Sequence, residues 1–191
     1  MRLFIAIPLA PDVAARAAAL LPEALGGLRR IKPDNLHLTL AFLGWTADER
    51  LPDAVAAAQD AAAAIAPFTL VFAGTAGRFP ERGRPRVVWL GVGMGLESVR
   101  ELGERVAQGL RERAVRFDDR PLAAHLTLAR VREDASLAEA RTVAAAVETL
   151  AVPRLLTEVE EITVFESVLS PRGPRYTPRA HARLLSGRES R

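Results

Sequence analysis

Two of the three histidines in this chain stand in the same tetrapeptide, His37-Leu38-Thr39-Leu40 and His125-Leu126-Thr127-Leu128. Side chains alternate along an extended strand, so His37 and Thr39 share one face while Leu38 and Leu40 share the other. The leucines can then face a core while imidazole and hydroxyl face a groove, about 6.5–7 Å apart along the strand. His125 and Thr127 follow the same logic. Should the two segments oppose each other across one cleft, a phosphate between them meets two imidazoles and two hydroxyls. Histidine suits both ends of a proton transfer because its unperturbed pKa lies at about 6.5. One neutral imidazole takes a proton from an attacking water, and one imidazolium gives a proton to a departing oxygen. That pair of steps opens a cyclic phosphodiester. The threonine hydroxyls can donate to the non-bridging oxygens, where charge builds up in the transition state. No metal is needed. A lone His-x-Thr is more often structural; two copies at equivalent places are not.

The elements around the motifs repeat. Leu3–Ile7 reads as a buried strand ended by Pro8, followed by a helix from Pro11 to about Arg29 that stops near Gly26-Gly27. His37–Leu43 is a strand. Thr46 and Glu49 form a capping-box pattern for a helix to about Ile65, and Phe68–Phe72 is the next strand. The second half runs in the same order: strand Arg86–Leu90, helix Leu96 to about Arg113, and strand His125–Ala129. A capping box at Ser136 and Glu139 then opens a helix to about Leu150, and Val159–Val168 closes the half. His181–Leu185 offers one more strand. Each half is therefore β-α-β-α-β with its histidine motif on the second strand, an internal duplication read from the order of elements. The halves span approximately 1–75 and 86–185, within one domain of 1–191. The Arg-, Gly- and Pro-rich stretch from Gly74 to Pro85 reads as a long exposed loop between them.

Several other residues invite a chemical role. Arg130 stands five residues after His125, so strict alternation places it on the opposite face unless the strand bends first. Phe42 and Trp89 could stack on a base, but aromatics on apolar strands are usually core, and core is the expectation for both. Tyr176, in the polar turn Gly173-Pro174-Arg175-Tyr176, is the better candidate for base stacking. His181 raises the idea of a three-histidine zinc site; threonine at the i+2 position of both motifs is a poor ligand, so no metal is expected and His181 reads as a surface or structural residue. Gly91-Val92-Gly93-Met94-Gly95-Leu96 follows a strand and opens a helix, yet leucine stands where a dinucleotide fingerprint requires its third glycine, so the segment reads as a turn.

Composition bounds the rest. Hydrophobic residues at 49% and charged residues at 26% fit an ordinary globular protein and exclude a disordered one. Cysteine is absent, which excludes disulfides and thiolate metal sites. The net charge of +3 coexists with a sequence pI of about 10.4 because Lys32 is the only lysine among the cations. From Ser170 onward Arg172, Arg175, Arg179, Arg183, Arg188 and Arg191 face only Glu189, a strip that can touch phosphates or remain a solvated tail. The short apolar run at the N-terminus contains Pro8 and matches a strand of the second half. It therefore reads as part of the fold, and the protein as a cytoplasmic monomer without a membrane segment.

The paired His37–Leu40 and His125–Leu128 motifs resemble the signature of the two-histidine (2H) phosphoesterase superfamily. The chain is most similar there to the RNA 2',3'-cyclic phosphodiesterases, once called 2'-5' RNA ligases. The likeness runs through Arg2–Ile7, Asn35–Gly44, Arg84–Leu90, His125–Arg130 and Ser167–Tyr176. It implies an α/β, bilobal fold with two antiparallel sheets flanking a central cleft and helices outside. It implies hydrolysis of RNA 2',3'-cyclic ends, or of nucleoside 2',3'-cyclic phosphates, to 2'-phosphates without a cofactor. His37 is then the proton donor, His125 the acceptor, and Thr39, Thr127 and Arg130 hold the phosphate. Family members commonly carry proline before the second histidine, where this chain has Ala124. The alternatives are a 2'-5' RNA ligase, a phosphodiesterase for another small cyclic or 2',5'-linked nucleotide, and a non-catalytic RNA-end-binding module.

Overall fold

A computed structural model describes residues 1–170 and 173–185. Arg172, Arg188, Glu189 and Arg191 of the basic strip lie outside the described residues. The order of elements is β1 (Arg2–Pro8), α1 (Pro11–Ala18), β2 (Leu28–Arg30), β3 (His37–Trp45), α2 (Leu51–Ala63), β4 (Phe68–Phe79) and β5 (Val87–Val92). It continues with α3 (Leu96–Glu112), β6 (His125–Val131), α4 (Leu137–Glu148), β7 (Leu155–Val159), β8 (Glu161–Ser170) and β9 (Gly173–Arg183). The β-α-β-α-β order of each half is present: β8 is the expected closing strand, β2 and β7 were not expected, and the additional strand β9 starts at Gly173 rather than His181.

Local chemistry explains where the elements differ from expectation. The first helix ends at Ala18, well before Arg29, because Pro22 lacks an N–H and its ring opposes a continued helix. The carbonyls of the segment after the helix are taken up by Arg30, whose guanidinium donates to Leu21 O at 2.9 Å and to Pro22 O at 2.5 Å. The Thr46–Glu49 capping box does not form. The Thr46 hydroxyl donates instead to Gly44 O at 3.2 Å, and a 3-10 turn at Asp48–Arg50 leads into α2. Pro52 then sits in the first turn, where its missing N–H costs nothing. The Ser136–Glu139 box does form, in both directions. The stretch from Gly74 to Pro85 is not all loop: β4 continues to Phe79, which pairs with Val87, so only 80–86 is left to connect the hairpin. Tyr176 lies within β9 opposite Ser167 rather than in a turn.

The expected pair of sheets is one continuous antiparallel sheet of nine strands. Its order is β7-β4-β5-β6-β3-β1-β8-β9, with β2 against β6. The two arms join where β3 meets β6 through a single pair, Leu38 opposite Leu126. Both leucines are fully buried, so the apolar residue after each histidine makes the seam. On either side of it the strand order is matched: β3-β1-β8-β9 against β6-β5-β4-β7. The arms do not coincide with the sequence halves, because β4 of the first half pairs with β5 and β8 of the second half pairs with β1. Each half lends its last strand to the other.

The alanines form core. Ala54, Ala57, Ala58, Ala61 and Ala62 make up the buried stripe of α2. A Cβ added at Gly109 of α3 would stand 3.1 Å from Ala57 Cβ, so small residues set the close approach of these helices. Val99, Leu102, Val106 and Leu110 of α3 are fully buried with them, at the i, i+3, i+7, i+11 spacing of an amphipathic helix.

Candidate active site

Each histidine is the first residue of its strand, and each is oriented by the carbonyl two residues before it. His37 Nδ1 lies 2.7 Å from Asn35 O, and His125 Nδ1 lies 2.5 Å from Ala123 O. A carbonyl only accepts, so Nδ1 carries the hydrogen in both rings and the neutral form keeps its lone pair on Nε2. Tying Nδ1 back toward the preceding backbone turns Nε2 away from it. Asn35 also donates from Nδ2 to Pro174 O at 2.9 Å, which links the His37 carbonyl anchor to the start of β9.

The antiparallel direction of β3 and β6 brings the four motif side chains to one face. Register continued past Leu38–Leu126 sets His37 beside Thr127 and Thr39 beside His125. All four are half-buried while the intervening leucines are buried. The two strands then carry the same irregularity. On β3, Ala41 pairs with Ile5 and Thr39 with Ala6, leaving Leu40 over; on β6, Ala129 pairs with Val88 and Thr127 with Trp89, leaving Leu128 over. Each bulge buries two consecutive residues and reverses the alternation beyond. Arg130 therefore returns to the face of His125 and Thr127, contrary to strict alternation. At the matched position of β3, Phe42 is 38% exposed, with the Arg2 guanidinium 5.1 Å over its ring.

Aromatic rings from the neighbouring strands enclose each imidazole. His37 lies 4.7 Å from the Phe4 ring of β1, 6.4 Å from Phe165 of β8 and 5.3 Å, edge to face, from Tyr176 of β9. His125 lies 5.1 Å from Phe79 of β4 and 6.3 Å from Trp89 of β5. Phe42 and Trp89, expected as core from their apolar strands, are not core: the bulge exposes one, and the other is half-buried against His125. The Trp89 indole fits only because Gly77 lacks a side chain, since a Cβ there would be 2.3 Å from the ring. Gly77→Ala should displace the indole from His125. A drop in kcat/KM of about tenfold, the scale of a small misplacement in a positioned site, is the expected result, measured beside a thermal melt. Unchanged turnover would show that the indole does not position the imidazole.

The surroundings set the titration of the pair. Burial pushes the His37 imidazole down from 6.5 to about 4; the Asn35 hydrogen bond opposes this, and the charges of His125 and Arg130 add to it. Burial likewise lowers His125, with the Ala123 hydrogen bond opposing and Arg130 adding. Burial raises the Tyr176 phenol, against the charges of Arg130, Arg2 and Arg29. Arg130 therefore acts on both imidazoles and the phenol. His181 stands apart on β9, where its exposed ring meets Glu161 at 2.9 Å and Thr163 at 3.2 Å. Among the described residues no three His, Asp or Glu side chains gather as a metal site requires, and no helix is long and apolar enough to cross a membrane. The groups around the cleft are imidazoles, hydroxyls, aromatic rings and guanidinium. Asn35, Phe4, Phe79 and Phe165 were not singled out in the sequence. Asn35 had one local signal, its place two residues before a motif histidine; the rings come from strands distant in the chain.

The comparisons with known proteins agree with this architecture. A family model described as the 2'-5' RNA ligase superfamily matches residues 9–169, a span that includes both histidine motifs. An RNA 2',3'-cyclic phosphodiesterase of Archaeoglobus fulgidus is 33% identical over 183 residues, 92% of this chain and 96% of the relative. One of Thermus thermophilus is 37% identical over 191 residues, 93% and 87% respectively. The crystal structure of the Thermus thermophilus protein TT0787 superposes with a TM-score of 0.78 at 32% identity, covering 97% of this chain and 98% of that one. By this match of fold, motif pair and sequence, the chain belongs to the 2'-5' RNA ligase superfamily of 2H phosphoesterases.

Proposed function

We propose that the cleft hydrolyses RNA 2',3'-cyclic phosphate ends to 2'-phosphomonoesters by metal-independent acid–base catalysis between His37 and His125. The observation that carries this is the matched pair of imidazoles, each with Nδ1 tied to a carbonyl and Nε2 left for proton transfer. Water attacks phosphorus as His125 Nε2 takes its proton. The bond from phosphorus to the ribose 3'-oxygen breaks as His37 Nε2–H supplies the proton of the new 3'-hydroxyl. The 2'-phosphate remains. Thr39, Thr127 and Arg130 hold the non-bridging oxygens as charge develops on them. The family resemblance orders the two roles; the near-equivalent surroundings do not.

Burial keeps His37 neutral in the free protein, whereas a donor must be protonated. The substrate resolves this, because an anionic phosphate between the rings favours the imidazolium. A cavity of about 260 Å³ beside His37, lined by Asn35, Phe165 and Tyr176, suits the terminal base, with Tyr176 stacking on it. Both histidines come from one chain, so a monomer whose two arms form one domain suffices for the reaction, and we place it with its RNA substrates in the cytoplasm. The test is turnover of nucleoside 2',3'-cyclic phosphates in the presence of a chelator, with the product identified. The expected product is the 2'-phosphate, formed at an undiminished rate. A 3'-phosphate would reverse the leaving group, and loss of activity with chelator would replace the mechanism with a metal-dependent one.

A further inference from the structure

The two imidazoles are oriented alike, yet their anchors are not held alike. His37 Nδ1 lies 2.7 Å from Asn35 O, and His125 Nδ1 lies 2.5 Å from Ala123 O. A carbonyl aims a ring only as well as its own peptide is fixed. Ala123 is exposed and ends in a methyl group, which makes no hydrogen bond. Asn35 is half-buried and carries an amide, whose Nδ2 donates to Pro174 O at 2.9 Å, 139 residues away in the chain. A carbonyl only accepts, so the nitrogen of that amide is the atom that faces it. Within the turn Pro33–Asn35, Asn35 N donates to Lys32 O and Leu36 N to Pro33 O, both at 2.9 Å. The peptide that aims His37 is therefore fixed twice, within its own turn and from β9.

β9 is the end strand of the sheet, with β8 as its one strand neighbour among the described residues. Two residues beyond Pro174 it presents Tyr176, whose ring meets the His37 ring edge to face at 5.3 Å. The Asn35 amide thus governs two restraints on one imidazole: the carbonyl at Nδ1 and, through β9, the ring packed against it. Phe4 of β1 and Phe165 of β8 complete the enclosure with apolar rings. Among the described residues Asn35 O is the one hydrogen-bond partner of the His37 ring. That bond favours the charged ring, which burial and the charges of His125 and Arg130 oppose. After a proton leaves Nε2, the neutral ring keeps its hydrogen on Nδ1, where the same carbonyl accepts it.

We propose that Asn35 is a positioning residue for proton donation: its side-chain amide, by clamping the turn before β3 to the start of β9, holds His37 with Nε2 directed at the leaving oxygen. The inference rests on the hydrolase function proposed above and adds the residue that aims its donor. Asn35 acts here through His37 and not on the phosphate. Without the clamp the carbonyl drifts, Nδ1 is released, and the ring is free to turn or to carry its neutral hydrogen on Nε2.

The test uses Asn35→Leu, which keeps the size of the side chain and removes the donor, with Asn35→Ala as a second variant should the leucine fail to fold. On a nucleoside 2',3'-cyclic phosphate, kcat should fall about ten- to a hundredfold, the scale of a misplacement near 1 Å. KM should stay within about threefold, as for a group that acts in the transition state. Asn35 also lines the cavity beside His37, so the opposite split, a raised KM at unchanged kcat, would make it a binding residue and overturn the proposal. In the His37→Ala background the same substitution should add less than about twofold, because its effect runs through the missing ring. A further loss of about tenfold there would overturn it as well. Ring tautomers give a readout free of turnover. With three histidines in the chain, nitrogen-15 spectra of the imidazoles can be assigned by single substitution. Wild-type His37 at neutral pH should carry its hydrogen on Nδ1, and Asn35→Leu should transfer a share of it to Nε2 while the His125 and His181 signals stay in place. An unmoved His37 signal sinks the clamp. Wild type inert on cyclic phosphates, with the tautomer still shifting in the variant, would overturn the hydrolase function and leave the hold of Asn35 on His37 standing.

Discussion

His125→Ala and His37→Ala should each lower kcat on a nucleoside 2',3'-cyclic phosphate by about 10²–10⁴, the usual worth of one positioned proton transfer. The double variant should fall little further, because the two groups act on one transition state and their losses do not add. KM should change far less than kcat. Stability separates the two single variants. His37 packs among three aromatic rings contributed by β1, β8 and β9, so its removal leaves a hole in that cluster and should lower Tm. His125 contacts fewer rings, and its removal should be closer to neutral. A variant retaining well over about a hundredth of wild-type kcat would remove that histidine from the chemistry, on the lower bound of such contributions.

The pH dependence of kcat/KM should be a bell with its maximum below 6.5. The acceptor must be neutral, and burial lowers His125, so that limb rises before the ordinary imidazole range. The donor must be protonated, and burial pushes His37 to about 4, so the share of free protein carrying that proton declines above that value. The active form is therefore a minority of the free protein, and the two limbs belong to the coupled pair rather than to either ring. The kcat profile should be displaced to higher pH, because the bound phosphate anion favours the imidazolium. Arg130→Gln should move both profiles upward, since its charge lowers both imidazoles, and should cost about 10²–10³ in kcat as an oxyanion donor is lost. A kcat/KM maximum above pH 7, or a rate rising monotonically across the histidine range, would contradict this assignment.

The motif pair, the amphipathic α3 and the Ser136 cap were legible because each is written within a few neighbouring residues. The face of Arg130 was not, because a bulge is a relation between two strands. Nothing in His125-Leu126-Thr127-Leu128-Ala129-Arg130 alone says that β5 skips Leu128. The same relation, in β3 against β1, undid the core assignment of Phe42. The aromatic enclosures were hidden for a related reason, since Phe165 reaches His37 only after β8 crosses to β1. The early end of α1 was different in kind: Pro22 lay in plain view, and the helical period was given more weight than the missing N–H.

The exchange of β4 and β8 between the halves also fixes the order in which the molecule can be completed during synthesis. The arm that carries His125 is built from the contiguous stretch 68–159 and can pair its strands as that stretch emerges from the ribosome. The arm that carries His37 begins with β1, and one long edge of that strand stays open until β8 arrives some 160 residues later. Such distant closure is slow, and an open edge invites pairing with other chains. A translating ribosome therefore holds a chain whose second motif is already framed while the ring cluster around the first is missing, so the two-histidine cleft is assembled only after β8 and β9 have been made.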